Sequence, residues 1–174
     1  MAAALVIIDV QQGMFSMPDL RPHDGEGVVE RIAGLIGRAR AAGTPIFFVQ
    51  HDEGPAGDFH PGKPGFPFHP RLTPLAGDSV TVKQNSSAFT GTDFDLKLRR
   101  AGVDHLIVTG MQSEYCVDSA VRGAAERGYR VTLVGDAHST FDSRVARAGQ
   151  IIAIQNDTMS GSFATIVPAA EVRF

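Results

Sequence analysis

The sequence predicts an α/β protein built on a parallel sheet with helices over both faces. Two observations carry this reading. Short, continuously apolar runs alternate with stretches of helical spacing, the pattern of strand–helix–strand units. The runs do not alternate apolar with polar residues, as expected of strands buried on both faces. A length of 174 residues suits one domain over 1–174 with a substantial core.

The elements follow in order. Residues 3–8 are wholly apolar and run into Asp9, giving the first strand. Residues 26–42 place Val28, Ile32, Leu35 and Ile36 at helical spacing, and Gly43 supplies the stop. Residues 45–49 (PIFFV) and 79–82 (SVTV) read as the second and third strands. Leu96 and Leu98 sit in a short helix ending at Gly102. Residues 104–109 (DHLIVT) give a fourth strand, and 114–127 a helix stopped by Gly128. Residues 130–134 (RVTLV) are the fifth strand, 142–154 a helix capped by Asp142 or Ser143, and 163–167 (FATIV) the sixth strand. The stretch 52–78 holds six prolines and five glycines with no period of either kind. A loop of that length in a compact domain is expected to be a functional lid or an oligomer contact.

Composition narrows the function classes. Net charge is −3, with acids and bases interspersed. No basic block or interleaving of aromatics with Lys and Arg points to nucleic acid. The apolar N-terminal run is too short to span a bilayer and lacks a basic flank and cleavage site. A cytoplasmic protein that engages neither nucleic acid nor membrane is the resulting expectation. Cys116 is the one cysteine, so no intramolecular disulfide can form.

A lone cysteine is ordinarily a small buried hydrophobe, but its setting argues otherwise. Cys116 lies in Thr109-Gly110-Met111-Gln112-Ser113-Glu114-Tyr115-Cys116-Val117, where a strand ends and a helix begins. Unpaired N–H groups of a first helical turn favour an anion, so the thiol pKa is expected to fall. Asp9 ends the first strand, where partial burial would raise its pKa toward the range of a proton shuttle. Lys83 ends the third. In parallel sheets ligands sit beyond the carboxyl ends of the strands, so the three can meet at one edge.

These residues carry a resemblance. Leu5-Val6-Ile7-Ile8-Asp9-Val10-Gln11-Gln12-Gly13, Pro64-Gly65-Phe66-Pro67-Phe68-His69-Pro70, Lys83-Gln84-Asn85-Ser86-Ser87-Ala88-Phe89 and the Cys116 segment occur in that order, followed by Gly128-Tyr129-Arg130-Val131 and Asp136-Ala137. Over nearly its whole length the chain resembles the isochorismatase-like cysteine hydrolases. The resemblance implies a three-layer α/β/α sandwich around a six-stranded parallel sheet, and an Asp9, Lys83, Cys116 catalytic set that hydrolyses a small C–N bond through an acyl-thioester. It implies a cis peptide bond between Met111 and Gln112, with the N–H groups of Gln112 and Cys116 as oxyanion hole, no cofactor, and a homo-oligomer, dimer or tetramer. Two positions depart from the family's pattern. Ser113 stands where threonine is frequent and keeps the hydroxyl; Ala120 stands where threonine is frequent in the following helix.

The nicotinamidase branch of that family binds a metal through an acid and histidines after the second strand. Here Val49 stands two residues before His51, and His60, His69 and His138 lack ligand spacing. No metal is expected, and His51 is read as a pocket residue. Gln11, Phe15, Phe89 and Met111 complete the expected pocket wall. Three other functions remain open at this point: an isochorismatase-type vinyl-ether hydrolase, a metal-containing amidase of the nicotinamidase kind, and a catalytically idle binding or assembly module.

Overall fold

A computed structural model of the chain describes residues 2–17 and 21–174. Six strands are present: β1 (Ala2–Ile8), β2 (Ile46–His51), β3 (Ser79–Lys83), β4 (Val103–Met111), β5 (Arg130–Ser139) and β6 (Thr165–Val167). The helices are α1 (Gly13–Ser16), α2 (Gly25–Ala41), α3 (Phe94–Arg100), α4 (Asp118–Ala125) and α5 (Ala148–Met159). All strand pairs are parallel, in the order β3-β2-β1-β4-β5-β6.

Residue alternation along β1 divides the core. Leu5 and Ile7 face α2, packing with Val28, Ile32, Leu35 and Ile36. Ala4, Val6 and Ile8 face the opposite layer, with Phe94 and Leu98 of α3 and Val117, Val121 and Ala124 at α4. The sheet is therefore the middle of three layers, as expected. Strand order reverses between β1 and β4, which opens a crevice at their carboxyl ends. Among the described residues, no helix is long and apolar enough to cross a membrane.

Three elements differ from the sequence expectation. The helix expected over 114–127 begins as a π-helical turn, Ser113–Val117, before α4. The helix expected from 142 starts at Ala148, because Asp142 and Ser143 organise a loop instead. The Ser143 hydroxyl accepts from the N–H groups of Val145 (3.2 Å) and Ala146 (3.0 Å). Asp142 Oδ1 still caps α5 from a distance, accepting the Ala148 N–H at 2.9 Å. The short helix α1 carries too few residues to show a period and was not anticipated.

Close approach of β1 and β4 depends on Gly110. It adopts φ +124°, a conformation open to glycine. A Cβ there would lie 2.1 Å from the Ile8 carbonyl oxygen. Neither strand can yield, because both are central in the sheet. Gly110→Ala is expected to cost about 3 kcal/mol or more of folding stability, measured as a lower urea midpoint; an unchanged midpoint would refute this account of the strand spacing.

Candidate active site

Asp9 follows β1 with φ +48°, a left-handed conformation that aspartate tolerates better than most residues. This turns the chain away from the sheet. Its N–H still donates to the Val49 carbonyl at 3.0 Å, holding it to β2. Lys83 ends β3, two strands away, and its long side chain crosses the gap. The Lys83 ammonium lies 2.7 Å from Asp9 Oδ2, and both side chains are 0% exposed. Lys83 Nζ also donates to Cys116 Sγ at 3.2 Å and to the Asn85 carbonyl at 3.0 Å. His51 Nδ1, 3.3 Å away, can accept from it. The three sequence-identified groups thus converge on one ammonium.

Cys116 sits within the π-helical turn Ser113–Val117, next to the cis peptide bond joining Met111 to Gln112. A buried polar chain holds that turn. The Asn156 amide donates to the Gly135 carbonyl at 3.0 Å, which leaves its Oδ1 to accept from His138 Nε2 at 2.9 Å. His138 Nδ1 then accepts from the Ser113 hydroxyl at 2.8 Å. Ser113 is thereby a structural anchor of the turn.

Burial dominates the electrostatics. It raises the Asp9 carboxyl above the usual range, against the opposing pull of Lys83. The expected fall of the Cys116 thiol pKa does not occur: burial first, and the Asp9 charge second, push it up to about 12, with Lys83 opposing. The helix start is outweighed by the partial burial of the sulfur and by the neighbouring carboxylate. His51 is held low by burial and then by the Lys83 charge, leaving a neutral imidazole.

A cavity of about 300 Å³ opens over Asp9 and Cys116. Of the five residues expected in its wall, His51 lines it. Gln11 is fully buried and acts as a clamp. Its amide donates to the carbonyls of His51 (3.0 Å) and Phe66 (2.8 Å) and accepts the His51 N–H (2.8 Å). Phe15 packs edge-on against His69, with ring centroids 4.7 Å apart. Phe89 packs on Phe94 at 5.1 Å under the Arg127 guanidinium. Met111 is wholly buried on the α2 side. Nearness in sequence to Asp9 or Cys116 did not separate wall from core.

The wall also contains Met14, Met17, Glu53, Phe59, Ser86, Gln112 and Tyr115. Adjacency to the three central residues could have suggested Met14, Ser86 and Tyr115. Glu53 and Phe59 had no sequence signal, because the loop over 52–78 brings them there by folding back over the exit from β1. Gly65 and Pro67 in that loop accept the N–H groups of Gly13 (3.0 Å) and Gln12 (2.8 Å). Asp52 and His60 pair at 2.7 Å, but among the described residues no three His, Cys, Asp or Glu side chains converge as a metal site. A larger groove of about 470 Å³ beside His105, Tyr129 and Phe163 contains no carboxylate and no thiol.

Comparison with known proteins follows the same line. The isochorismatase domain model matches residues 3–170. The chain belongs to the isochorismatase family. It is 34% identical over 172 residues to an isochorismatase family protein of Bacillus subtilis, covering 95% of this chain and 96% of that protein. It is 37% identical over 139 residues to a streptothricin hydrolase of Streptomyces noursei, covering 80% of this chain and only 50% of that protein, so it spans about half of that relative's length. A ureidoacrylate amidohydrolase of Methylobacterium radiotolerans is 31% identical over 169 residues, covering 76% of this chain and 65% of the relative. A crystal structure of an isochorismatase from Pseudomonas putida superposes with a TM-score of 0.91 at 36% identity, over 98% of this chain and 90% of that one.

Two outcomes are expected from these electrostatics. Thiolate ultraviolet absorbance of the native protein should stay absent up to about pH 9 and appear only on further rise; a thiolate present at neutral pH would contradict the burial of Sγ. Burial holds His51, His69, His105 and His138 below their ordinary 6.5 in the fold. Their contribution is therefore complete above the unfolded value and is lost as pH falls through the folded values. Urea midpoints should drop below about pH 6.5, less steeply in His138→Gln; identical slopes would remove His138 from this account.

Proposed function

We propose that the chain is a cysteine-dependent hydrolase of a small-molecule C–N bond (amide, carbamoyl or lactam), with Asp9, Lys83 and Cys116 as its catalytic set. The observation that carries this is the contact of a partly buried thiol, a buried carboxylate and a buried ammonium beneath a small cavity. The names of two relatives, a streptothricin hydrolase and a ureidoacrylate amidohydrolase, support the reaction class.

The resting proton sits on sulfur, given the raised thiol pKa. Moving it to Asp9 leaves the net charge of the trio unchanged: one anion and one cation before, and one of each after. Burial therefore penalises the transfer far less than loss of the proton to water. Sγ attacks the carbonyl carbon as Asp9 accepts its proton, and the N–H groups of Gln112 and Cys116 receive the oxyanion. Asp9 returns the proton to the departing nitrogen, and the C–N bond breaks, leaving a thioester on Cys116. Asp9 next takes a proton from water as the oxygen attacks the thioester. Collapse releases the acid and restores the thiol. Lys83 keeps a cation beside whichever of the two groups is charged. The enzyme works without a cofactor or metal on this reading, as a homo-oligomer in the cytoplasm.

Cys116→Ala is expected to lower amide hydrolysis at least about a thousandfold, followed by release of the amine or ammonia. Asp9→Asn should do the same and should leave no acyl adduct on Cys116 by intact mass. Hydrolysis by Cys116→Ala at near the parent rate would overturn the proposal.

A further inference from the structure

His51 closes β2, and its ring both meets Lys83 and lines the cavity over Cys116. Nδ1 of the ring lies 3.3 Å from the Lys83 ammonium. An ammonium has donors and no acceptor, so the ring nitrogen facing it is the bare one. Burial, and then the Lys83 charge, keep the ring neutral. A neutral imidazole with Nδ1 bare carries its proton on Nε2. Lys83 thereby sets the tautomer of His51.

Nε2 has a different setting. Among the described residues, the one hydrogen-bond partner of the ring is Lys83, at Nδ1, and nothing accepts from Nε2. The ring is half-buried, so its outer nitrogen is only partly served by water. The backbone of His51 is also clamped. The Gln11 amide accepts its N–H at 2.8 Å and donates to its carbonyl at 3.0 Å. Held at the backbone by Gln11 and at Nδ1 by Lys83, the ring is a donor fixed before any ligand arrives. Met14, Met17 and Phe59, in the same wall, offer no acceptor stronger than a thioether sulfur. The partner that Nε2–H lacks must come from the cavity.

We infer that His51 orients the substrate by donating its Nε2–H to a second acceptor oxygen, so that the preferred substrate is a small amide carrying a further carbonyl or hydroxyl close to the scissile carbon. This rests on the amidase reading for the reacting centre. A substrate with only N–H donors at that point, an ammonium above all, meets another donor and is disfavoured. Recognition and chemistry would then hang on one cation: the ammonium that contacts Asp9 and Cys116 also decides which nitrogen of His51 donates.

Tautomer and binding can both be read without turnover. The parent protein and Cys116→Ala are prepared with histidine carrying the heavy nitrogen isotope, and the His51 resonances are those lost in His51→Phe. Both proteins should show a bare Nδ1 and a protonated Nε2. Cys116→Ala is then titrated with acetoacetamide and with isovaleramide, its isostere with a methyl group in place of the ketone oxygen. Acetoacetamide should bind about fivefold or more tightly and should move the Nε2–H resonance downfield. Adding His51→Phe should abolish the preference, whereas adding His51→Gln, which keeps an N–H donor on a side chain of similar reach, should retain part of it. A proton on Nδ1, binding of neither amide, equal affinities, or a preference that survives His51→Phe would overturn the inference. An intact binding preference with neither amide hydrolysed by the parent protein would instead overturn the amidase reading, while the His51 donor would stand.

Discussion

An ion pair with no exposure to water, Lys83 to Asp9 at 2.7 Å, is the interaction on which the rest of this site depends. Removing two charges from water costs several kcal/mol each, and the pair persists only where geometry and further hydrogen bonds offset that loss. Here the ammonium is met by a carboxylate, a sulfur, a backbone carbonyl and an imidazole nitrogen. The carboxylate in turn is held between the Lys83 ammonium and the Cys116 thiol, which places a proton acceptor directly beside the sulfur.

Two backbone features set the reach of that pair. Asp9 in the left-handed region turns the carboxyl out of the β1 plane. Gly110, lacking a Cβ, lets β4 lie against Ile8 so that the next segment, with Cys116, comes down beside Asp9. A polar chain from Gly135 through Asn156 and His138 to Ser113 fixes the turn that carries the sulfur. All of these lie at the carboxyl edge of the sheet, where strand order reverses and the layers part. The candidate site is thus placed by strand ends, while the loop over 52–78 contributes the outer wall.

Burial acts in the same direction on both acids. It raises the Asp9 carboxyl above its ordinary value, and it raises the Cys116 thiol so that the sulfur carries its proton at neutral pH. A helix start alone would favour a standing thiolate. In the proposed mechanism the thiolate forms only during attack, by internal transfer within a cluster of constant charge. Such a thiol is less exposed to oxidation, since the thiolate is the reactive form.

Much of this was legible in the sequence. Apolar runs on both sides of helical patterns specified a parallel α/β sheet, because strands buried on both faces cannot alternate. Asp9, Lys83 and Cys116 stood at strand and helix boundaries, which in such sheets lie at one edge. The wall of the cavity was not legible in the same way. Phe15, Phe89 and Met111 are close in sequence to the central residues but point into packing layers, since one step along a strand reverses a side chain's direction and one step along a helix turns it by about 100°. Glu53 and Phe59 lie more than forty residues from Asp9 in a stretch without period, and only the hydrogen bonds folding that loop over β1 bring them in. Local pattern therefore determined the sheet and the edge at which Asp9, Lys83 and Cys116 meet. The depth of the sulfur, the sign of its pKa shift and the charge of the pocket were decided by tertiary packing, because each depends on groups distant in the chain and on how far they exclude water.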